Sequence, residues 1–327
     1  MSDERDRMDW KDESFLDGVS HVAYGKGHPQ KKTGWIPRDP EKPILRFSAG
    51  LETIPAHPLT DLWPIAATTW PMDRNDQVGD CVVAAVDHAL QAISTLLGTG
   101  RTNWTDDQIL AYYQTQNPGF KSWSDAGGPN DNGMVIQDFL NYLVKEGTIL
   151  AFGLVDHTNE EEMKAAAYLG LANVTGEVLD VAQQTQQVWD YVKGSPVWGG
   201  HATCTNAYGD SAGRVRDLFR VVTWGSSTLV TPLFFTKQVE EVYFIIPMDL
   251  ARRPDFRAGY NLSSFAAAFT SLTGRPFPVI TPGPTPPPGP SVTDQQLVAA
   301  YSEYRRQRTV LDSAMDDVMN HWVAGKS

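Results

Sequence analysis

Cysteine is scarce in this chain: Cys81 and Cys204 are the two thiols in 327 residues. Two cysteines make no disulfide framework and no Cys-x-x-Cys metal knuckle, so a reducing compartment and free thiols are expected. Positive charge is also short, with 27 Lys and Arg against 39 Asp and Glu and a net charge of −12. The pI is about 5.0. That balance argues against nucleic acid as a partner, because such affinity grows from cations that neutralise phosphates. No stretch approaches the ~18 consecutive apolar residues of a membrane-spanning helix, so no membrane partner is expected. Residues 1–32 are charged and polar and lack the apolar centre of a secretory leader. The expected location is therefore the cytoplasm, with packaging in a virion as the alternative. His-Glu-x-x-His and Gly-Lys-Ser/Thr patterns are missing, so neither a metal nor a nucleotide cofactor is expected.

Apolar residues make up 41% of the chain, which suffices for a substantial core. Residues 1–40 read as an extended arm with little periodic apolarity. Residues 41–70 carry apolar residues between prolines, such as Leu62-Trp63-Pro64, and read as a segment that wraps a domain. The apolar run from Cys81 to Leu97, stopped by Gly98, predicts a helix. Thr105-Asp106-Asp107-Gln108 is a capping-box pattern for a second helix. A third is expected from about Met134 to Glu146, with Gly147 as its stop, and a short one from Glu160 to Leu169 ending at Gly170. The second half changes character. Strands are expected at 173–179, 201–208, 218–224, 228–235 and 241–246, with residues 209–213 as a hairpin loop. Helices first and strands later predict an α+β domain over 41–275, its two parts meeting in a cleft.

Eight prolines between Pro276 and Pro290 predict a stiff linker over 276–291. Residues 292–327 then read as an amphipathic helix. Leu297, Tyr301, Tyr304, Arg308, Leu311, Met315, Val318 and Trp322 form a heptad seam with one charged interruption. Such a helix is marginal alone. It is expected to dock on the main domain, to self-associate as a coiled coil, or to pack on a partner helix.

The chemistry centres on Cys81 and His201. Asn75-Asp76-Gln77-Val78-Gly79-Asp80 is polar and turn-prone, which places Cys81 in the first turn of its helix. Unpaired N–H groups there favour thiolate. Gly199-Gly200-His201 opens a strand, and the paired glycines leave space for a cleft. A thiol and an imidazole so placed suit nucleophilic acyl chemistry. His88 lies two helical turns from Cys81, too far for proton transfer, and is expected to pack. Cys204, three residues beyond His201 on a strand, points to the other face and is expected to be buried. Asp80 stands either as a helix cap or as a charge opposing the thiolate.

NDQVGDC before an apolar helix, then GGHATCTNAYGD, then VVTWG, resembles the papain-like cysteine peptidases over roughly residues 41–250. The GDC, GGHA and TWG set also resembles a divergent papain-like group of bacteriophages and prophages. The resemblance implies a two-lobe α+β fold, with Cys81 as nucleophile, His201 as its base and Trp224-Gly225 covering the catalytic hydrogen bond. It implies a peptide or protein substrate and no cofactor. The family's oxyanion glutamine lies six residues before the nucleophile, where Asn75 stands; Gln77 has the family's side chain but stands four before. The family's orienting asparagine falls on Val222, which cannot hold an imidazole. Thr223, Asp210 and Asp217 remain as substitutes. Three functions follow: a thiol hydrolase of peptide or amide bonds, an acyltransferase using the same pair, or a catalytically silent scaffold or virion-associated assembly protein.

Overall fold

In the computed structural model, a strand of two residues, β1 (Trp35–Ile36), runs parallel to a second, β2 (Met134–Val135). Residues 32–54, 69–100, 103–211, 215–278 and 280 are described, with the backbone alone at 209–211, 215–217 and 255. The arm before residue 32, Leu62-Trp63-Pro64, the hairpin tip at 212–213, the linker beyond 280 and the helix expected at 292–327 lie outside the described residues.

The apolar run after Cys81 forms α1 (Cys81–Leu97). Every residue from Cys81 to Leu90 is buried, Asp87 and His88 among them, so this half of the helix runs through the core rather than along its surface. Gly98 ends it at φ 67°, its N–H bonding the Ser94 and Thr95 carbonyls. Next comes α2 (Asp106–Gln114), where Thr105 and Gln108 complete the reciprocal capping box. The third helix, α3 (Ile136–Glu146), starts two residues later than the sequence suggests. Pairing with β1 holds Met134 and Val135 extended, a tertiary contact that local periodicity cannot register.

The β lobe is a seven-stranded sheet of β3 (Ala151–Val155), β4 (Asn173–Asp180), β5 (Val188–Trp189), β6 (Val197–Ser211), β7 (Val215–Thr223), β8 (Ser226–Val230) and β9 (Val239–Ile246), in the order β3-β9-β4-β6-β7-β8-β5. All neighbours are antiparallel except β5 and β8. Two helices lie between its strands, α4 (Glu160–Gly170) and α5 (Pro232–Gln238). The former runs through Gly170, and Leu171 takes the left-handed turn at φ 65°. The strand expected at 228–235 stops at Val230. Thr231 caps the N–H of Phe234 and Pro232 opens α5. Proline has no N–H for a sheet ladder and its fixed φ suits a first helical turn.

Three more helices follow: α6 (Met248–Arg252), α7 (Pro254–Gly259) and α8 (Leu262–Thr273). Their buried Phe256, Tyr260 and Phe265 join Phe47 and Phe244 in an aromatic cluster. The Tyr260 hydroxyl donates to Phe47 O at 2.8 Å, which ties residues 47–50 to the far end of the domain. Of the segment expected to wrap the domain, residues 45–50 lie on the body: Leu154 N–H bonds Leu45 O at 2.8 Å and Asn261 N–H bonds Gly50 O at 2.7 Å. No described helix is long and apolar enough to cross a membrane.

Candidate active site

The loop leading to Cys81 is held from within α1. Asp73 and Arg74 both take left-handed conformations, φ 54° and 65°. His88 Nε2 donates to Pro71 O at 2.8 Å and lies 3.4 Å from Asp73 Oδ2. His88 is therefore a buried anchor for the loop, in the packing role its spacing indicated. Gln77 and Val78 N–H groups close turns onto Arg74 O, and the chain then enters α1 at Cys81.

Cys81 is fully buried. Burial pushes its thiol far up, while backbone hydrogen bonding from Ala202 and Gly34 acts the other way. Ala202 directly follows His201 on β6, the strand against which α1 packs. Asp80 makes no side-chain cap on α1. Burial raises that carboxyl well above its ordinary range, against the opposing hydrogen bond from Asn75. Its charge is among the influences that raise the Cys81 thiol, so of the two readings of Asp80 the opposing charge is the one the site favours.

His201 lies on β6, directly across from Glu177 of β4, and is fully buried. Its Nε2 shares a 2.6 Å hydrogen bond with Thr223 Oγ1. Its ring stacks on Trp224 at 4.1 Å and 14°. The β6–β7 register explains why Thr223 and not Val222 reaches the imidazole. Val222 pairs with Cys204, and alternation puts both on the face away from His201, leaving Thr223 on the histidine's side. Cys204 is buried as expected. Glu177 was not foreseen. Burial pushes its carboxyl well up, and Thr203 Oγ1 donates to it at 3.4 Å.

The space that Gly199-Gly200 leaves is filled by the chain itself. Residues 32–36 thread between the loop before α1, β2 and the glycine end of β6. Lys32 N–H bonds Asn75 O at 3.1 Å, and Trp224 Nε1 donates to Lys32 O at 3.0 Å. Gly34 N–H bonds Gly200 O at 2.9 Å, and Met134 N–H bonds Gly34 O at 2.7 Å. A Cβ on Gly34 would collide with the Gly79 carbonyl. Asp131 ties the parts together. It accepts from Gly79 N at 2.9 Å, Gly127 N at 2.7 Å and Tyr113 OH at 2.6 Å, and lies 3.5 Å from Lys32 Nζ. We call this segment the strap.

Of the two amides considered for an oxyanion hole, Asn75 is buried and its Nδ2 bonds Val78 O at 3.2 Å and Asp80 Oδ1 at 3.3 Å. Gln77 is exposed and its Nε2 reaches Asp76 at 3.5 Å. The Asn75 amide is thus engaged within its own loop, and the Gln77 amide with its neighbour. Among the described residues no three His, Cys, Asp or Glu side chains converge as metal ligands.

No family model and no curated protein sequence matches this chain. Solved structures do. Xylellain, a cysteine protease from Xylella fastidiosa, superposes with a TM-score of 0.51 at 17% identity, over 69% of this chain and 99% of its own. The proCathepsin B S9 of Trypanosoma congolense gives 0.49 at 13%, over 67% and 87%. The match to xylellain establishes the fold: this chain has the papain-like α+β fold, with a helical lobe around α1 and a mostly antiparallel β lobe.

Proposed function

We propose that this protein is a thiol hydrolase of peptide or amide bonds, with Cys81 as nucleophile and His201 as its base. The observation that carries the reading is Cys81 at the start of the central helix, with that helix packed on β6, the strand that carries His201. With Nε2 held by Thr223, Nδ1 is the nitrogen assigned to exchange a proton with the thiol. The sulfur adds to the substrate carbonyl carbon as the imidazole takes its proton, and the carbonyl π pair moves to oxygen. The Cys81 N–H at the helix start, with Asn75 once reoriented, supports that oxyanion. Collapse breaks the C–N bond, and the imidazolium returns the proton to the leaving amine. Water then attacks the thioester, with His201 as base, releasing the acid and the thiol. An amine in place of water gives acyl transfer at the same pair.

The strap must leave before substrate enters, since it buries the thiol in an environment that favours its neutral form. Residues 32–36 are thus an autoinhibitory segment in this reading. The silent-scaffold alternative drew on Val222 at the orienting position. Thr223 supports activity by giving His201 a different partner. The self-association or partner-helix role of 292–327 concerns residues outside those described, and no described feature favours it. Hydrolysis of a fluorogenic peptide mixture by the chain, before and after removal of the strap by limited proteolysis, tests the proposal. Cys81→Ser should lower the released rate by at least ~10³-fold. Undiminished turnover in that variant would overturn it.

A further inference from the structure

The strap carries one large side chain into the body of the protein. Trp35 is 2% exposed and its ring is seated against the sheet, beside β2. Its backbone pairs with Met134. Its ring lies against Gly176 of β4 and Gly200 of β6. Neither wall residue has a side chain. A Cβ at Gly176 would stand 2.5 Å from the indole Cε2 and Nε1, and one at Gly200 2.9 Å from Cε3. The two glycines thus open a slab that fits a planar ring. Glu241 of β9, paired with Gly176 in the sheet, supplies the pocket's polar end. The indole Nε1 donates to Glu241 Oε1 at 2.6 Å, and Tyr243 OH holds the other oxygen at 2.5 Å. Short bonds to a buried carboxyl are the strong kind, and they leave an acceptor unpaired when the donor is missing.

We infer that this pocket recognises a peptide side chain that is large, planar and ends in an N–H donor, tryptophan above all, and that Trp35 is its internal occupant. The inference deepens the hydrolase reading by naming the substrate class, but the pocket can be tested without catalysis. Bare walls alone accept any flat ring. Glu241 makes the difference, because phenylalanine would bury the carboxyl without its partner, whereas tryptophan satisfies it.

The test uses the full chain carrying Trp35→Ala and Cys81→Ser, with fluorescein-labelled pentapeptide Lys-Thr-Gly-Trp-Ile as probe and anisotropy as readout. The expected result is saturable binding, weakened about tenfold when the probe's Trp is replaced by Phe. Adding Glu241→Gln should shrink that Trp-over-Phe ratio, and adding Gly176→Val should abolish binding. Equal affinity for both probes, or no binding by a folded variant, overturns the inference. Should Trp35→Ala fail to fold, Trp35→Phe keeps the ring and lacks the donor. The Trp probe must then displace the internal Phe, and failure to do so is equally fatal. Hydrolysis is read separately, with Cys81 intact, on Trp and Phe peptides. Selective binding without cleavage would sink the hydrolase reading and leave the pocket standing. Cleavage indifferent to Trp would do the reverse.

Discussion

Thr223 holds the imidazole where the family's asparagine is replaced by Val222, and its removal separates orientation from chemistry. Thr223→Val keeps the shape and deletes the hydrogen bond to His201 Nε2. It should lower kcat about tenfold, with little change in KM, in strap-free enzyme. An unchanged kcat would show that Trp224 stacking alone positions the ring. Iodoacetamide gives a second residue-scale measurement. Both thiols are buried and raised, so labelling of the closed chain should be slow at both. Cys81 should become the fast site once the strap is cut, and His201→Ala should slow it again. Equal labelling of Cys204 would count against a reactive Cys81. At this scale the sequence was legible where chemistry is local: a thiol at a helix start, and a histidine after two glycines. Thr223 stood in the sequence as one of three substitutes, and only the β6–β7 register, which a single chain does not display, singles it out. Glu177 was missed because a lone glutamate in an apolar strand carries no signal of what it faces.

The strap is the element whose effect is most directly measured. Gly34 has no room for a side chain beside the Gly79 carbonyl. Gly34→Val should therefore push residues 32–36 out of the groove, since overpacking of this kind costs ~1–3 kcal/mol. Alkylation of Cys81 should then speed up by about tenfold or more; an unaltered rate would mean that the strap does not guard the thiol. The helices α1 and α2 were plain from periodicity, caps and the Gly98 stop. The start of α3 and the end of β8 were not. In the first case a paired strand overrides the helical pattern at Met134, and in the second Pro232 was read as part of a β-rich run rather than as a helix opener. The helices α6–α8 went unannounced because α6 and α7 are short, and α7 and α8 are held by an aromatic cluster around Tyr260 that includes Phe47, far off in sequence.

For the whole molecule, buried carboxyls set the response to pH. Burial holds Asp80 and Glu177 well above their usual range, and pushes Glu241 up to about 7 against bonds from Tyr243 and Trp35. The folded chain therefore keeps protons that the unfolded chain releases, from its ordinary 4.5 for Glu241 upward. That contribution is complete below 4.5 and is lost as pH rises through about 7. The Tm should fall between roughly pH 5 and pH 8, and Glu241→Gln should flatten the slope. A Tm that climbs across that window would contradict the burial of these groups. The fold class was legible from helices first and strands later, and the papain-like superposition bears it out. The closure of the groove was not, because nothing in residues 32–36 except one tryptophan and one glycine marks them as part of a site.

Gly34 commits both of its backbone groups to the body, its N–H to Gly200 O and its carbonyl to the Met134 amide. That bears on how an internal occupant could survive beside the proposed nucleophile. On the hydrolase reading, a segment pinned along both edges cannot turn its Gly34 carbonyl onto the sulfur without breaking these bonds, so it would be gripped by its indole and left uncut. A foreign chain held by the same pocket without those two bonds would present its peptide plane to attack.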